Sequence, residues 1–187
     1  RYLCLMSVIL LQAGNLTLYA QQQATLDSLL AVLETDINEK EKVDTYNRLA
    51  SEYSSSDSSK TAEYFQKSVK KAESIGYHQG IADAYDHIAW VTVLTGNYNE
   101  AKMLYQAMLE KSTTHNITKS LARAYQGLGI VTSYQGDLGK ALEYHTKSID
   151  INTEIDNKRG LSSSYNSIAI IYANQGDLLH SLAYFEK

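Results

Sequence analysis

Proline is absent from all 187 residues, and cysteine occurs once, at Cys4. The missing prolines exclude collagen and proline-rich linkers. A single cysteine excludes a disulfide scaffold. Phenylalanine and tryptophan are scarce, with two and one residues against fifteen tyrosines. There is no basic run, and the formal net charge is −4, which argues against a dedicated nucleic-acid binder. Apolar residues are not lacking: 44% of the chain is hydrophobic, too much for a disordered one. The length alone suits about one domain.

No acidic residue occurs before Asp27. Arg1 precedes an apolar stretch from Tyr2 to Leu11, and a more polar segment then ends in Ala20. This order of basic start, apolar middle and small residue is that of a secretory signal peptide, residues 1–20, cut after Ala20. Gln12, Gly14, Asn15 and Thr17 break the run, whereas a membrane span needs about 20 apolar residues. Cys4 leaves with the leader. The mature chain is therefore expected outside the cytoplasm, in the periplasm or on the outer side of the inner membrane.

The rest of the chain repeats. Tyr85, Tyr125 and Tyr165 are forty residues apart, as are Ile88, Leu128 and Ile168, and Gly96, Gly136 and Gly176. Phe65, Tyr105, His145 and Phe185 form a fourth column at the same interval. The first unit diverges: Tyr46 to Phe65 is one residue short, which we place in the turn Ser54–Ser59. Each unit reads as two helices. Tyr85, Ile88, Ala89 and Thr92 fall at i, i+3, i+4 and i+7, one face of an amphipathic helix. Ala101, Leu104, Tyr105 and Met108 repeat that spacing in a second helix. Gly96, Gly136 and Gly176 stop the first helix, because glycine takes left-handed geometry cheaply. Asn97, Asp137 and Asp177 stand ready to cap the second. Gly76, Asn116 and Asp156 share the column between units and tolerate a turn. Ala89, Gly129 and Ala169 mark the close crossing within a unit, faced by Ala101 and Ala141.

These columns resemble the tetratricopeptide repeat, over residues 42–187. The usual unit of that family is about 34 residues with a proline near its end. Here the unit is forty residues and the proline column is empty, so the extra residues are expected to lengthen the second helix. The resemblance implies an all-α fold, a right-handed α-solenoid of antiparallel helix pairs, with units near 42–80, 81–120, 121–160 and 161–187. Ahead of them, residues 21–41 hold Leu26, Leu29, Leu30 and Leu33 at helical spacing, a helix that covers the open end of the stack. The last unit stops about seven residues into its second helix, so the natural protein is expected to continue past Lys187.

No catalytic constellation is present. The five histidines, His78, His87, His115, His145 and His180, have no metal-ligand spacing, and no metal or cofactor site is assigned. His145 replaces an aromatic in its column and reads as a packed residue. Gly127-Leu128-Gly129 lacks the third glycine and the preceding strand of a phosphate loop, and reads as helix-packing glycine. Nucleophile, base and orienter cannot be named together, so this segment is not expected to be an enzyme.

What remains is the groove. In stacked helix pairs the first helices line the concave side. The columns facing it are Asp44, Asp83 and Arg123; Asn47, Asp86, Gln126 and Asn166; and Trp90, Ile130 and Ile170. Two readings of the apolar stripe stand side by side. It anchors a partner peptide or helix, or it packs between neighbouring first helices. The family's clamp for acidic chaperone tails uses lysine and asparagine where Asp86, Gln126 and Asn166 stand, so no such tail is expected. The leader, the leucine-rich helix and the long units together resemble exported bacterial signalling proteins of the Bacteroidetes type. The resemblance implies the sensory part of a histidine kinase or transcriptional regulator that binds protein partners, not nucleic acid, and meets a membrane only through a further segment. A free envelope scaffold and an accessory domain of a downstream enzyme are the alternatives.

Overall fold

The computed structural model describes residues 20–187, so the proposed leader and Cys4 lie outside the described residues. Every element described is a helix. A first helix, α1, covers residues 20–33. It is followed by α2 (Glu39–Tyr53), α3 (Ser58–Ser74), α4 (His78–Leu94), α5 (Tyr98–Thr114), α6 (Thr118–Tyr134), α7 (Leu138–Glu154), α8 (Lys158–Asn174) and α9 (Leu178–Phe185). The pairs α2–α3, α4–α5, α6–α7 and α8–α9 are the repeat units. The fold is an α-solenoid, as the columns implied.

One turn is used six times. Gly76, Gly96, Gly136 and Gly176 have φ between +63° and +85°, and Asn116 and Asp156 have +54° and +50°. At each, two backbone bonds reach back into the helix just finished. After α4, the Gly96 amide donates to the Val93 carbonyl at 3.0 Å and the Asn97 amide to the Thr92 carbonyl at 3.1 Å. This is the Schellman arrangement, and it satisfies carbonyls that the helix end would orphan. The same pair recurs after α6, at 3.0 Å for Gly136 to Ser133 and 3.0 Å for Asp137 to Thr132. The left-handed residues stand at 76, 96, 116, 136, 156 and 176, one every twenty residues.

That spacing corrects two expectations. The extra residues do not go to the second helix alone: α4 and α5 are both 17 residues, as are α6 and α7. In the first unit the lost residue comes from the helix. α2 is 15 residues, two fewer than α4, and the turn Ser54–Asp57 is one longer. No residue of that turn has positive φ. Capping also differs in one unit. Asp137 and Asp177 accept from the amides of Lys140 and His180 at 3.1 Å each, but Asn97 caps nothing and donates instead to Thr95. At the start of α2 a full capping box forms, in which Asn38 accepts from Lys40 and Glu41 amides and Glu41 accepts from Asn38.

Alanine makes the core. Ala82, Ala89, Ala101, Ala124, Ala141 and Ala169 are all completely buried, with Leu128, Val131 and Met108 filling between them. Such small side chains let helix backbones approach closely. Leu26 and Leu29 of α1 pack on Leu49 and Tyr53 of α2.

Tyrosines and lysines form a second repeated layer. Tyr64, Tyr144 and Tyr184 pair with Tyr46, Tyr125 and Tyr165 at 6.1–6.2 Å between centroids. Lys67, Lys147 and Lys187 lie over Tyr64, Tyr144 and Tyr184 at 5.0, 5.9 and 4.2 Å. Each such contact is worth about 0.5–1 kcal/mol at an exposed site. In the second unit both partners are gone together, replaced by Leu104 and Ala107.

The first helices touch along the stack: α2 meets α4, α4 meets α6 and α6 meets α8. The backbones of successive second helices stay apart, and α3 and α5 meet only through the Glu73–Lys111 ion pair, 3.9 Å apart. The stack therefore curves, with the first helices on its inner side.

A Cβ at Gly136 would meet no atom within 4 Å, so a substitution there tests conformation alone. Gly136→Ala should cost about 1–2 kcal/mol, the price of a left-handed alanine. Asp156→Gly should raise stability by a few tenths of a kcal/mol by the same argument. Urea denaturation midpoints check both.

Candidate partner-binding cleft

The inner faces of α4, α6 and α8 enclose an open cleft of about 830 Å³. Seven of the ten residues expected in the groove line it. Trp90, Ile130 and Ile170 form its apolar wall, one from each helix, at equivalent positions. Trp90 and Ile170 are each 46% exposed and Ile130 is half-buried. Of the two readings of this stripe, packing between first helices does not account for the exposed part of these side chains.

The polar columns behave differently. Arg123 donates from Nη1 to Asp83 Oδ1 at 2.8 Å and from Nη2 to Asp86. These three half-buried charges tie α6 to α4, one cation shared by two carboxylates. With the arginine a third exposed, the pairs contribute modestly, about 1 kcal/mol or less each. Gln126 Nε2 donates to Ser163 Oγ at 2.5 Å, tying α8 to α6. Asp86, Arg123, Gln126 and Asn166 line the cleft, and Asp83 stands behind it.

Two residues fall elsewhere. Asn47 is 4% exposed and belongs to the interior. Its amide donates to the Gly80 carbonyl at 3.1 Å, and its oxygen accepts from Ser68 Oγ at 2.6 Å. Gly80 has no side chain, so α4 comes close enough to α2 to enclose the asparagine. This corrects its assignment to the groove. Asp44 is exposed on α2 but does not line the cleft. Partial burial raises its carboxyl pKa, opposed by a hydrogen bond with Tyr77 and reinforced by Asp83.

The floor of the cleft comes from residues outside the first-helix columns. Tyr105 of α5 and His145 of α7 both line it. Tyr105 is 3% exposed, and burial pushes its phenol pKa up. His145 is 1% exposed, with Nδ1 buried and unpartnered, and burial lowers its pKa from 6.5 to about 4. The imidazole is therefore neutral at pH 7. Arg159 also lines the cleft, with no ion-pair partner among the described residues.

Among the described residues no group of three or more His, Cys, Asp or Glu side chains could hold a metal ion. No described helix is long and apolar enough to cross a membrane.

A buried neutral histidine makes stability depend on pH with a defined sign. Between pH 6.5 and about 4 the unfolded chain binds a proton that the folded chain refuses. The contribution is complete above 6.5 and is lost as pH falls toward 4, at up to about 1.4 kcal/mol per pH unit. The urea midpoint should fall on acidification across this window, and His145→Phe should flatten the fall.

Residues 120–187 match the tetratricopeptide repeat family. No curated protein matches the sequence. Among solved structures, apo RapI superposes with a TM-score of 0.72 at 16% identity, over 90% of this chain and 48% of RapI. BtubC from P. vanneervenii gives 0.64 at 18% identity, over 86% of this chain and 67% of BtubC. MamA gives 0.56 at 23% identity, over 91% and 88%. At these identities the likeness is one of fold. The chain spans about half the length of RapI.

Proposed function

We propose that this solenoid is a non-catalytic protein-interaction module that holds an extended peptide or a helix of a partner in the cleft of α4, α6 and α8. The observation that carries the reading is the apolar wall. Trp90 and Ile170 stay 46% exposed in a concave site where Arg123, Asp86 and Gln126 are already engaged by protein partners. Tryptophan in a concave, partly enclosed position is a favoured interface anchor. The cleft volume also falls within the range of sites that enclose a compact ligand group, about 300–1,000 Å³.

The test uses the chain's own reporter, because Trp90 is the single tryptophan. A peptide selected from a random phage library against the protein should shift Trp90 fluorescence on titration. By isothermal titration calorimetry, Trp90→Ala should weaken that peptide by about 30-fold, the scale of an interface hot spot. Unchanged affinity in the variant would show that the cleft is not the site.

We further propose that the module is exported and works as the sensory region of a bacterial signal-transduction protein. The charge and hydropathy order of residues 1–20 supports export, and the leucine-rich helix with its forty-residue units supports the sensory role. Expression of the sequence with its leader in a bacterium should give a periplasmic product whose amino terminus is Gln21. An uncleaved product retained in the cytoplasm would refute export.

A further inference from the structure

Two side chains from the second helices reach the cleft where α6 has no side chain to stop them. Tyr105 lies against Gly127: a Cβ there would stand 2.3 Å from ring Cε1 and 2.4 Å from Cζ, the carbon bearing the hydroxyl. His145 lies against Gly129, where a Cβ would stand 2.7 Å from Cε1, 2.8 Å from Nε2 and 2.9 Å from Nδ1. The other units have His87 and Ser167 in the first of these columns and Ala89 and Ala169 in the second. The two adjoining openings are thus particular to α6.

His145 is also out of character for its own column, which holds Phe65, Tyr105 and Phe185 elsewhere. A phenylalanine there would bury no polar atom. The histidine buries Nδ1 without a partner. The Tyr105 hydroxyl also has no hydrogen-bond partner among the described residues, but it keeps some access to solvent. Buried polar groups are nearly always paired, and an unpaired one in a cavity wall calls for a ligand. The floor carries no charge at neutral pH, and both of its groups can donate and accept. A charged tip would find no countercharge there, and an aliphatic tip would leave the histidine unsatisfied. A neutral tip that both donates and accepts fits. The indole of Trp90 and the side chains of Ile130 and Ile170 above it suit a flat apolar body. The lining cation without an acid partner is Arg159, since Arg123 is committed to Asp83 and Asp86.

We infer that the cleft takes a tyrosine of a linear partner peptide, with its ring against Trp90, Ile130 and Ile170, its hydroxyl on His145 and Tyr105, and an adjacent acidic residue on Arg159. This rests on the peptide-binding reading above and names its anchor.

The experiment selects phage-displayed random peptides on the full chain and measures the enriched sequences, synthesised with tyrosine or phenylalanine at the anchor, by isothermal titration calorimetry. Enriched peptides should share a tyrosine beside an aspartate or glutamate. Tyrosine should bind at least about tenfold more tightly than phenylalanine, because only it satisfies the floor. His145→Phe should abolish that preference and raise Tm. Tyr105→Phe, which removes one oxygen and leaves the ring, should reduce the preference even if the histidine variant fails to fold. Arg159→Gln should weaken binding several-fold, more at low salt than at high. Retention of the full preference in both floor variants, or enriched peptides without tyrosine, overturns the anchor while a loss on Trp90→Ala keeps the cleft. If no peptide is enriched, both readings fall.

Discussion

Everything in this solenoid depends on one backbone event, a residue in the left-handed region once every twenty positions. Each such residue ends a helix of seventeen, returns two amides to its last carbonyls and starts the next helix two residues later. Because all six events share one geometry, first and second helices are equal in length and the units stack in phase. The turn between helices of a unit uses glycine in the last three units, and the turns between those units use asparagine or aspartate. From α2 onward, only the turn after α2 lacks a left-handed residue, and there α2 is two residues shorter and the connection longer. The exception shows what the turn residue controls: helix length before it and spacing after it.

Equal helices in phase bring the same columns together in every unit, and this is why so much was legible in the residues. The forty-residue spacing located both helices of each unit, the alanine crossings and the inner face. Trp90, Ile130 and Ile170 were recognised as one stripe because each follows its column's tyrosine by five residues. Reading one helix at a time could not say whether that stripe was covered, since cover depends on the neighbouring helix. The same limit misplaced Asn47. Its column faces the cleft in the later units, but Gly80 on the next helix lets the backbone close over it. The cleft floor was missed for a related reason. Tyr105 and His145 belong to second helices, which a column argument assigns to the outer layer. A signal was present in two glycines inside a helix, opposite a histidine in an aromatic column. Those features have meaning only as a pair, a ring and the gap it enters.

The tyrosine and lysine layer gives an internal check on such pairwise reading. Where the second unit replaces the ring by Leu104, it also replaces the cation by Ala107. A lysine with no ring beneath it gains nothing from its position, so the two changes are physically linked. Ring and gap in the cleft stand in the same relation: a histidine in the aromatic column is accommodated by Gly129, and Tyr105 by Gly127. Small residues recur at the crossings of every unit, Ala50, Ala89, Gly129 and Ala169 against Thr61, Ala101, Ala141 and Ser181, which leaves individual units free to differ on the surface that faces a partner.

Packed first helices and widely separated second helices make the structure mechanically asymmetric. Bending the stack about its inner row disturbs little on the outer row, where an exposed ion pair between Glu73 and Lys111 links α3 to α5. The curvature is therefore a soft coordinate, and the width of the cleft changes with it. A ligand that bridges the walls supplied by α4, α6 and α8 sets that width and stiffens three units at once. Occupancy would then be felt at the far end of the solenoid as a change in the angle at which its last helix pair is presented.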